Sequence, residues 1–234
     1  AFRGHFNGGR KMHENLIEEC KSKISENLVS IIKYGTEGQP HNILIITKRL
    51  SFEDLEIIKP IIKNHKKRTK LVPVVLTEIG LNESADVFPL ELLDMKYPHE
   101  VLFGNDLIDS VKIDKKHVRR QLEYELRSKL IHLRETYIWI QSSRELKALL
   151  GSAIPTLMPL FYGMLFLKDV KPPTDLNLLF SEVNSNFNID MSLFLKIKNE
   201  KINKKELPKY VKELMILLER LISLIDKHKV EQVK

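Results

Sequence analysis

The spacing of apolar residues along the chain changes character near residue 105. Before that point short aliphatic runs alternate with amphipathic stretches, and after it a three- and four-residue spacing dominates. Residues 15–30 set Leu16, Ile17, Cys20, Ile24 and Leu28 at helical spacing and predict a first helix. The β-branched run at 43–47 (ILIIT) predicts a strand. Ser51 followed by Asp54 is a variant of the capping box and predicts a helix to about residue 67, kinked at Pro60. Residues 71–77 (LVPVVLT) predict a second strand, and Pro73 within it predicts a sheet edge or a bulge. Residues 87–95 (VFPLELLDM) read as a further strand, and 101–103 as a short one.

Past Gly104 and Asn105 the helical period is sustained. Asp114 predicts the cap of a long helix over 115–140, with Val118, Leu122, Leu126, Leu130, Leu133 and Tyr137 on its inner face. Ser142 or Ser143 opens an apolar helix that ends near Lys168. Pro172, Pro173 and Thr174 make a break with a cap, and helices follow over 175–186, 191–198 and 206–229. The last sets Tyr210, Leu214, Leu217, Leu218, Leu221 and Leu224 or Ile225 on one side. Four or five helices joined by short loops predict an antiparallel bundle. The fold class expected is therefore α+β: a small mixed-sheet domain over 12–108, then an all-α helical bundle over 109–234.

Composition narrows the function classes. At 43% hydrophobic and 29% charged residues the chain is globular rather than disordered. Its net charge of +7 is uneven: residues 1–105 hold 15 Lys/Arg against 14 Asp/Glu, and residues 106–234 hold 23 against 17. The basic helical half admits a nucleic acid or protein partner, while the scattering of bases among acids equally describes solvated helix faces. Cys20 is the single cysteine, so no internal disulfide or cysteine-based zinc cage can form, and a cytoplasmic location is expected. The uncharged stretch 148–167 has the length of a membrane span. Pro155, Pro159 and the flanking amphipathic helices favour a buried central helix instead, with no membrane contact. Residues 1–11 (AFRGHFNGGRK) read as a leader outside the fold, flexible or vector-derived.

One stretch carries a resemblance. Tyr34, Gly35 and Thr36 form a glycine-bearing turn, and Pro40, His41 and Asn42 lead into the aliphatic strand. This resembles the opening of the polymerase-β type nucleotidyltransferase fold, where a Gly-Ser turn precedes a strand that begins Asp-x-Asp. The segments 86–94, 99–104 and 121–130 follow in the order found in prokaryotic nucleotidyltransferase-like proteins, and the resemblance covers roughly residues 15–230. It implies a nucleotidyltransferase-like α/β domain followed by the helical bundle. It also exposes a departure: the two carboxylate positions fall on Pro40 and Asn42. Nucleotidyl transfer uses two magnesium ions held by carboxylates, which proline cannot replace and asparagine replaces without the charge. Glu91 is the candidate for the third, late-strand carboxylate, with Asp94 an alternative on the opposite face of the expected strand. The leading reading is thus a nucleotidyltransferase-like protein without transferase activity, a pseudoenzyme serving as a nucleotide-binding or interaction module through Gly35, Thr36 and Asn42. It implies no particular cofactor, and magnesium enters only with an active site. An active enzyme using Glu91 or Asp94, with magnesium, is the alternative.

Other constellations lead elsewhere. Arg127 and His132 on the first bundle helix resemble the Arg-x4-His motif of HEPN-type RNases, where His is the general base and Arg steadies the phosphate. They stand about 140° apart around a helix. The basic run 64–70 reads as a helix C-terminus or a phosphate-binding patch. The histidines form no metal set, and His117 with Asp114 is read as polarity at a helix start. Trp139 and Tyr137 are expected to pack in the bundle or between domains, and exposed parts of the helices at 148–167 or 206–229 admit, as a non-enzymatic alternative, a homodimer or a docked partner.

Overall fold

The structure, a computed structural model, describes residues 6–35, 42–66, 72–199 and 203–228. In chain order the elements are α1 (Phe6–Ile24), β1 (Leu28–Tyr34), β2 (Asn42–Thr47), α2 (Phe52–Lys66), β3 (Val72–Thr77), α3 (Glu78–Glu83) and α4 (Pro89–Lys96). They continue with β4 (His99–Gly104), α5 (Leu107–Ser110), α6 (Lys115–Trp139), α7 (Ser143–Leu167), α8 (Leu176–Phe187), α9 (Ser192–Lys198) and α10 (Leu207–Lys227). Two compact units divide them, one drawn from Ala1–Ala85 and Met95–Lys112, the other from Asp86–Asp94 and Ile113–Lys234.

The first unit is built on a mixed four-stranded sheet in the order β3-β2-β1-β4. β1 pairs antiparallel with both neighbours, and β2 pairs parallel with β3 across the α2 connection. Helix α2 begins as its sequence dictates: the Ser51 N–H donates to the Asp54 carboxylate at 2.8 Å, and Asp54 N–H donates back to the Ser51 hydroxyl at 3.2 Å. Pro73 lies on β3, an edge strand, where the missing N–H is tolerated. Ile31, Ile43 and Ile45 pack with Leu16, Cys20 and Ile24 of α1 and Ile58, Ile61 and Ile62 of α2. Burying each of these isoleucines contributes about 1.5–3 kcal/mol of transfer free energy.

Two expectations are corrected here. The helix read over 15–30 ends at Ile24, and 28–34 is the central strand β1. β1 (LVSIIKY) is buried on both faces along most of its length, so it shows no apolar–polar alternation and blends with the preceding helical pattern. Ser25, at φ +53, marks the break between them. The strand expected over 87–95 is instead helix α4. Its eight residues, PLELLDMK, contain no β-branched side chain, and Pro89 occupies the first helical position, where its fixed φ suits the helix and no N–H is needed. Residues 6–11, expected to lie outside the fold, belong to α1.

The helical unit follows its sequence closely. Asp114 caps α6 through the Lys116 N–H, and Ser142 and Glu145 form a complete capping box on α7. The cap of α8 is Asp175 rather than Thr174. Phe161 of α7 meets Phe180 of α8 and Phe194 of α9 edge-on, with centroids 6.3 and 5.3 Å away. Helix α10 turns Leu214, Leu218, Leu221 and Ile225 inward. Arg127 and Arg134 of α6 reach the α10 carboxylates Asp226 and Glu219 at 2.8 and 2.6 Å. α7 is long and apolar enough to cross a membrane by length and composition alone, and 61% of its most apolar window is buried within the structure.

Candidate functional site

The last pair of the β1–β2 ladder sets Tyr34 opposite Asn42, and β4 sets His99 opposite Tyr34 from the other side. Gly35, Asn42 and His99 therefore share one end of the sheet. Thr36 and Pro40 lie outside the described residues. Gly35 has φ +100, and a Cβ on it would stand 3.2 Å from Nδ2 of Asn42, so both conformation and space favour glycine. Its N–H, which the sequence offers to a phosphate, donates to the carbonyl of Pro98 at 3.1 Å.

The sheet itself is poor in acid. Asn42 opens β2 with a neutral amide. β3, the parallel neighbour, reads VPVVLT and holds no carboxylate. On β4, Glu100 stands opposite Lys33 with its Oε2 3.5 Å from Nζ, an exposed pair across the strands. Among the described residues no group of three or more His, Cys, Asp or Glu side chains could hold a metal ion. This donor set does not fit a two-magnesium centre.

His99 has both ring nitrogens engaged, Nδ1 2.8 Å from the Lys96 carbonyl oxygen and Nε2 2.9 Å from Oδ2 of Asp106. Asp106 also accepts the Asp109 N–H at 3.1 Å as the cap of α5. Burial acts to raise the Asp106 carboxyl, but its bonds to His99 and to the Asp109 N–H prevail and hold it below the usual range. Sequence reasoning left His99 without a partner; the Asp106–Asp109 capping pattern is the signal that could have supplied one. Cys20 is fully buried, and burial first, then Glu19, pushes its thiol up to about 12, which makes it inert as a nucleophile.

Glu91 and Asp94 are absent from the sheet because α4 is a helix, and there three residues bring them to neighbouring positions rather than opposite faces. Gln121 of α6 clamps the start of α4: its Oε1 accepts the Leu90 N–H at 2.8 Å, and its Nε2 donates to Glu91 at 2.7 Å. On α7, a Cβ at Gly163 would lie 2.3 Å from Cδ2 of Leu90 and 3.3 Å from Cδ2 of Leu122, so glycine leaves room here for these side-chain ends. Burial first, then the charge of Glu91, pushes the Asp94 carboxyl up to about 6. Tyr162, beside Gly163, is 1% exposed, its hydroxyl has no hydrogen-bond partner, and burial followed by the Asp94 charge raises its phenol above the ordinary value.

The remaining candidates are dispersed. Arg127 is held by Asp226 and Glu123, whereas the His132 side chain is 80% exposed and lies 4.0 Å from Glu135, so the structure does not bring the pair together. His117 meets the carbonyl of Asp86 at 3.0 Å rather than Asp114. Trp139, expected to pack, is 79% exposed, because α6 ends there and turns its inner face through Leu130 and Leu133 instead. In the basic run, His65 is buried at the end of α2 with Nε2 3.4 Å from Glu19, and residues 67–70 lie outside the described residues.

No family model matches the chain, and no curated protein matches it. Among solved structures it is similar to the spectinomycin adenyltransferase AAD(9) from Enterococcus faecialis, determined with ATP and spectinomycin. The TM-score is 0.52 at 11% identity, over 93% of this chain and 99% of that one. The likeness shows the fold: a nucleotidyltransferase-like α+β arrangement of a small mixed sheet followed by helices.

Proposed function

We propose that this chain is a nucleotidyltransferase-fold protein that binds a nucleotide without transferring it, and acts as a binding or interaction module. The observation that carries the reading is the acid-poor sheet: Asn42 at the head of β2, no carboxylate on β3, and Glu100 of β4 facing Lys33. Transfer requires charge at the metal ions, and a neutral amide with one lysine-paired carboxylate does not supply it. Nucleotide binding is supported by the fold it shares with a structure determined with ATP, and by the glycine turn at Gly35 beside Asn42. The phosphates would meet Thr36 and Asn42, since the Gly35 amide is engaged by Pro98.

Incubation with magnesium and ATP labelled at the α-phosphate, with spectinomycin, RNA and protein as acceptors, tests the reading. ATP is expected to bind while no acceptor gains label. AMP incorporation into any acceptor at enzyme-like turnover defeats the proposal, and failure of ATP to bind removes its nucleotide half.

A further inference from the structure

The outer face of α6 carries an apolar stripe that lies wholly within the helical unit and is independent of the nucleotide reading. Tyr124, Ile131 and Ile138 follow at seven-residue spacing and stay within about 40° of one another around the helix. None belongs to the buried face that Val118, Leu122, Leu126, Leu130 and Leu133 turn inward. Trp139 stands about five full turns from Gln121 and so points the same way. Gln121 accepts the Leu90 N–H at 2.8 Å, and His117, a turn before it, meets the Asp86 carbonyl at 3.0 Å. These bonds seat Val87 and Phe88 beside the start of the stripe. All six side chains are exposed, from 53% at Phe88 to 79% at Trp139. On α7 and α10, where the sequence placed a self-contact, the only exposed large hydrophobic among the described residues is Ile216.

Six such side chains, each more than half exposed, present on the order of 800 Å² per chain. That exceeds the largest patch of a typical monomer, about 300–600 Å². It matches the roughly 800 Å² that each partner buries in a standard interface. The stripe is also symmetric: Ile131 is its midpoint, with Tyr124 and Ile138 seven residues to either side. A two-fold axis through Ile131, with two copies of α6 antiparallel, sets Ile131 on its own copy and Tyr124 on Ile138 of the second chain. Such an axis keeps each flank on its own side, so Trp139 meets Val87 and Phe88 of the second chain. Glu135 falls level with Ser128, whose hydroxyl can donate to it. Arg120, which takes no ion pair among the described residues, falls level with Ser142, where the Glu145 carboxylate is held 2.9 Å from Gln141 N and 3.3 Å from Ser142 N. On the other flank Arg127 and Arg134 are already paired with Asp226 and Glu219, so they meet as neutral pairs. A parallel arrangement would set Glu135 against its own copy and leave Trp139 without an apolar partner.

We infer that the outer face of α6 is a homodimer interface, on which a second copy of this chain packs antiparallel across Ile131. The area, the symmetric spacing and the meeting of Arg120 with Glu145 all fit that one occupant.

Sedimentation equilibrium of the whole chain at about 100 μM tests it. A mass of twice 27.3 kDa is expected. Ile131→Asp should raise the dissociation constant about a hundredfold, because the two copies bring their charges together at the axis, and Trp139→Ala about tenfold. Both positions are exposed, so both variants should keep the wild-type circular dichroism and melting curve. Ile216→Asp, at an exposed isoleucine of α10 outside the stripe, should leave the mass unchanged. A short bismaleimide reads the orientation, since Cys20 is buried and stays unlabelled. Ile131→Cys should cross-link to itself, and Tyr124→Cys should cross-link to Ile138→Cys rather than to its own copy. A strict monomer, which would leave the face to a different partner, overturns the inference. So does a dimer that survives Ile131→Asp, an equal loss in Ile216→Asp, or self-linking of Tyr124→Cys. ATP is not a component, so failure here leaves the nucleotide reading standing.

Discussion

The two units treat charge in opposite ways. The sheet unit, where a nucleotidyltransferase would concentrate carboxylates, presents an asparagine, an acid-free β3 and one carboxylate opposite a lysine. The helical unit keeps Asp94 half-buried, with no ion pair or hydrogen bond among the described residues, and pushed up to about 6. Perturbed groups concentrate where proteins do chemistry or bind ligands. The contrast teaches that a shared fold does not fix where a chain keeps its perturbed charges.

Backbone packing shows the same opposition, and it gives the largest expected effect. Gly104 closes β4 against β1 at φ +78, and a Cβ would stand 2.1 Å from the Val29 carbonyl oxygen, a backbone atom that cannot step aside. Gly104→Ala should destabilise the protein by roughly 2–4 kcal/mol, from strain plus overpacking, read by chemical denaturation. A loss below ~1 kcal/mol would show that the strand contact adapts.

Asp94→Asn comes next and has the opposite sign. The folded-state value of about 6 lies above the ordinary 3.8, so protonation is favoured on folding and Asp94 detracts from stability as the pH rises through about 6. Removing the charge should therefore stabilise by roughly 1–3 kcal/mol at pH 8 and by little at pH 4. Equal stabilities of the two proteins at pH 8 would mean that Asp94 is solvated. Gly163→Ala should be milder than its counterpart in the sheet, about 1 kcal/mol, because the atom met at 2.3 Å is the end of the Leu90 side chain and can rotate. A loss as large as that of Gly104→Ala would erase the distinction between the units. Smallest of all, Glu100→Gln should change stability by less than ~0.5 kcal/mol, since its lysine pair is exposed. A larger loss would make this carboxylate more than a strand-surface partner.

What could be read from the sequence follows the range of the forces involved. Caps at Ser51, Asp114 and Ser142 are local chemistry, and each was legible in two or three residues. So was Pro73 on an edge strand. The inner faces of α6 and α10 were legible because their period runs for five turns or more. β1 was hidden because a strand buried on both faces has no alternation to read. α4 was hidden because a short apolar run fits either period, and with it went the geometry of Glu91 and Asp94. The orphaned Tyr162 hydroxyl and the raised Asp94 carboxyl arise from packing between residues far apart in the chain, whereas the His99 contacts with the Lys96 carbonyl and Asp106 span only three and seven residues.

The central claim is nucleotide binding on a sheet without metal-holding charge. Calorimetric titration with ATP, run with and without magnesium and paired with an assay for pyrophosphate release, tests it most directly. The account predicts binding of similar affinity in both conditions and no pyrophosphate. Binding that requires magnesium and is followed by pyrophosphate release would contradict it.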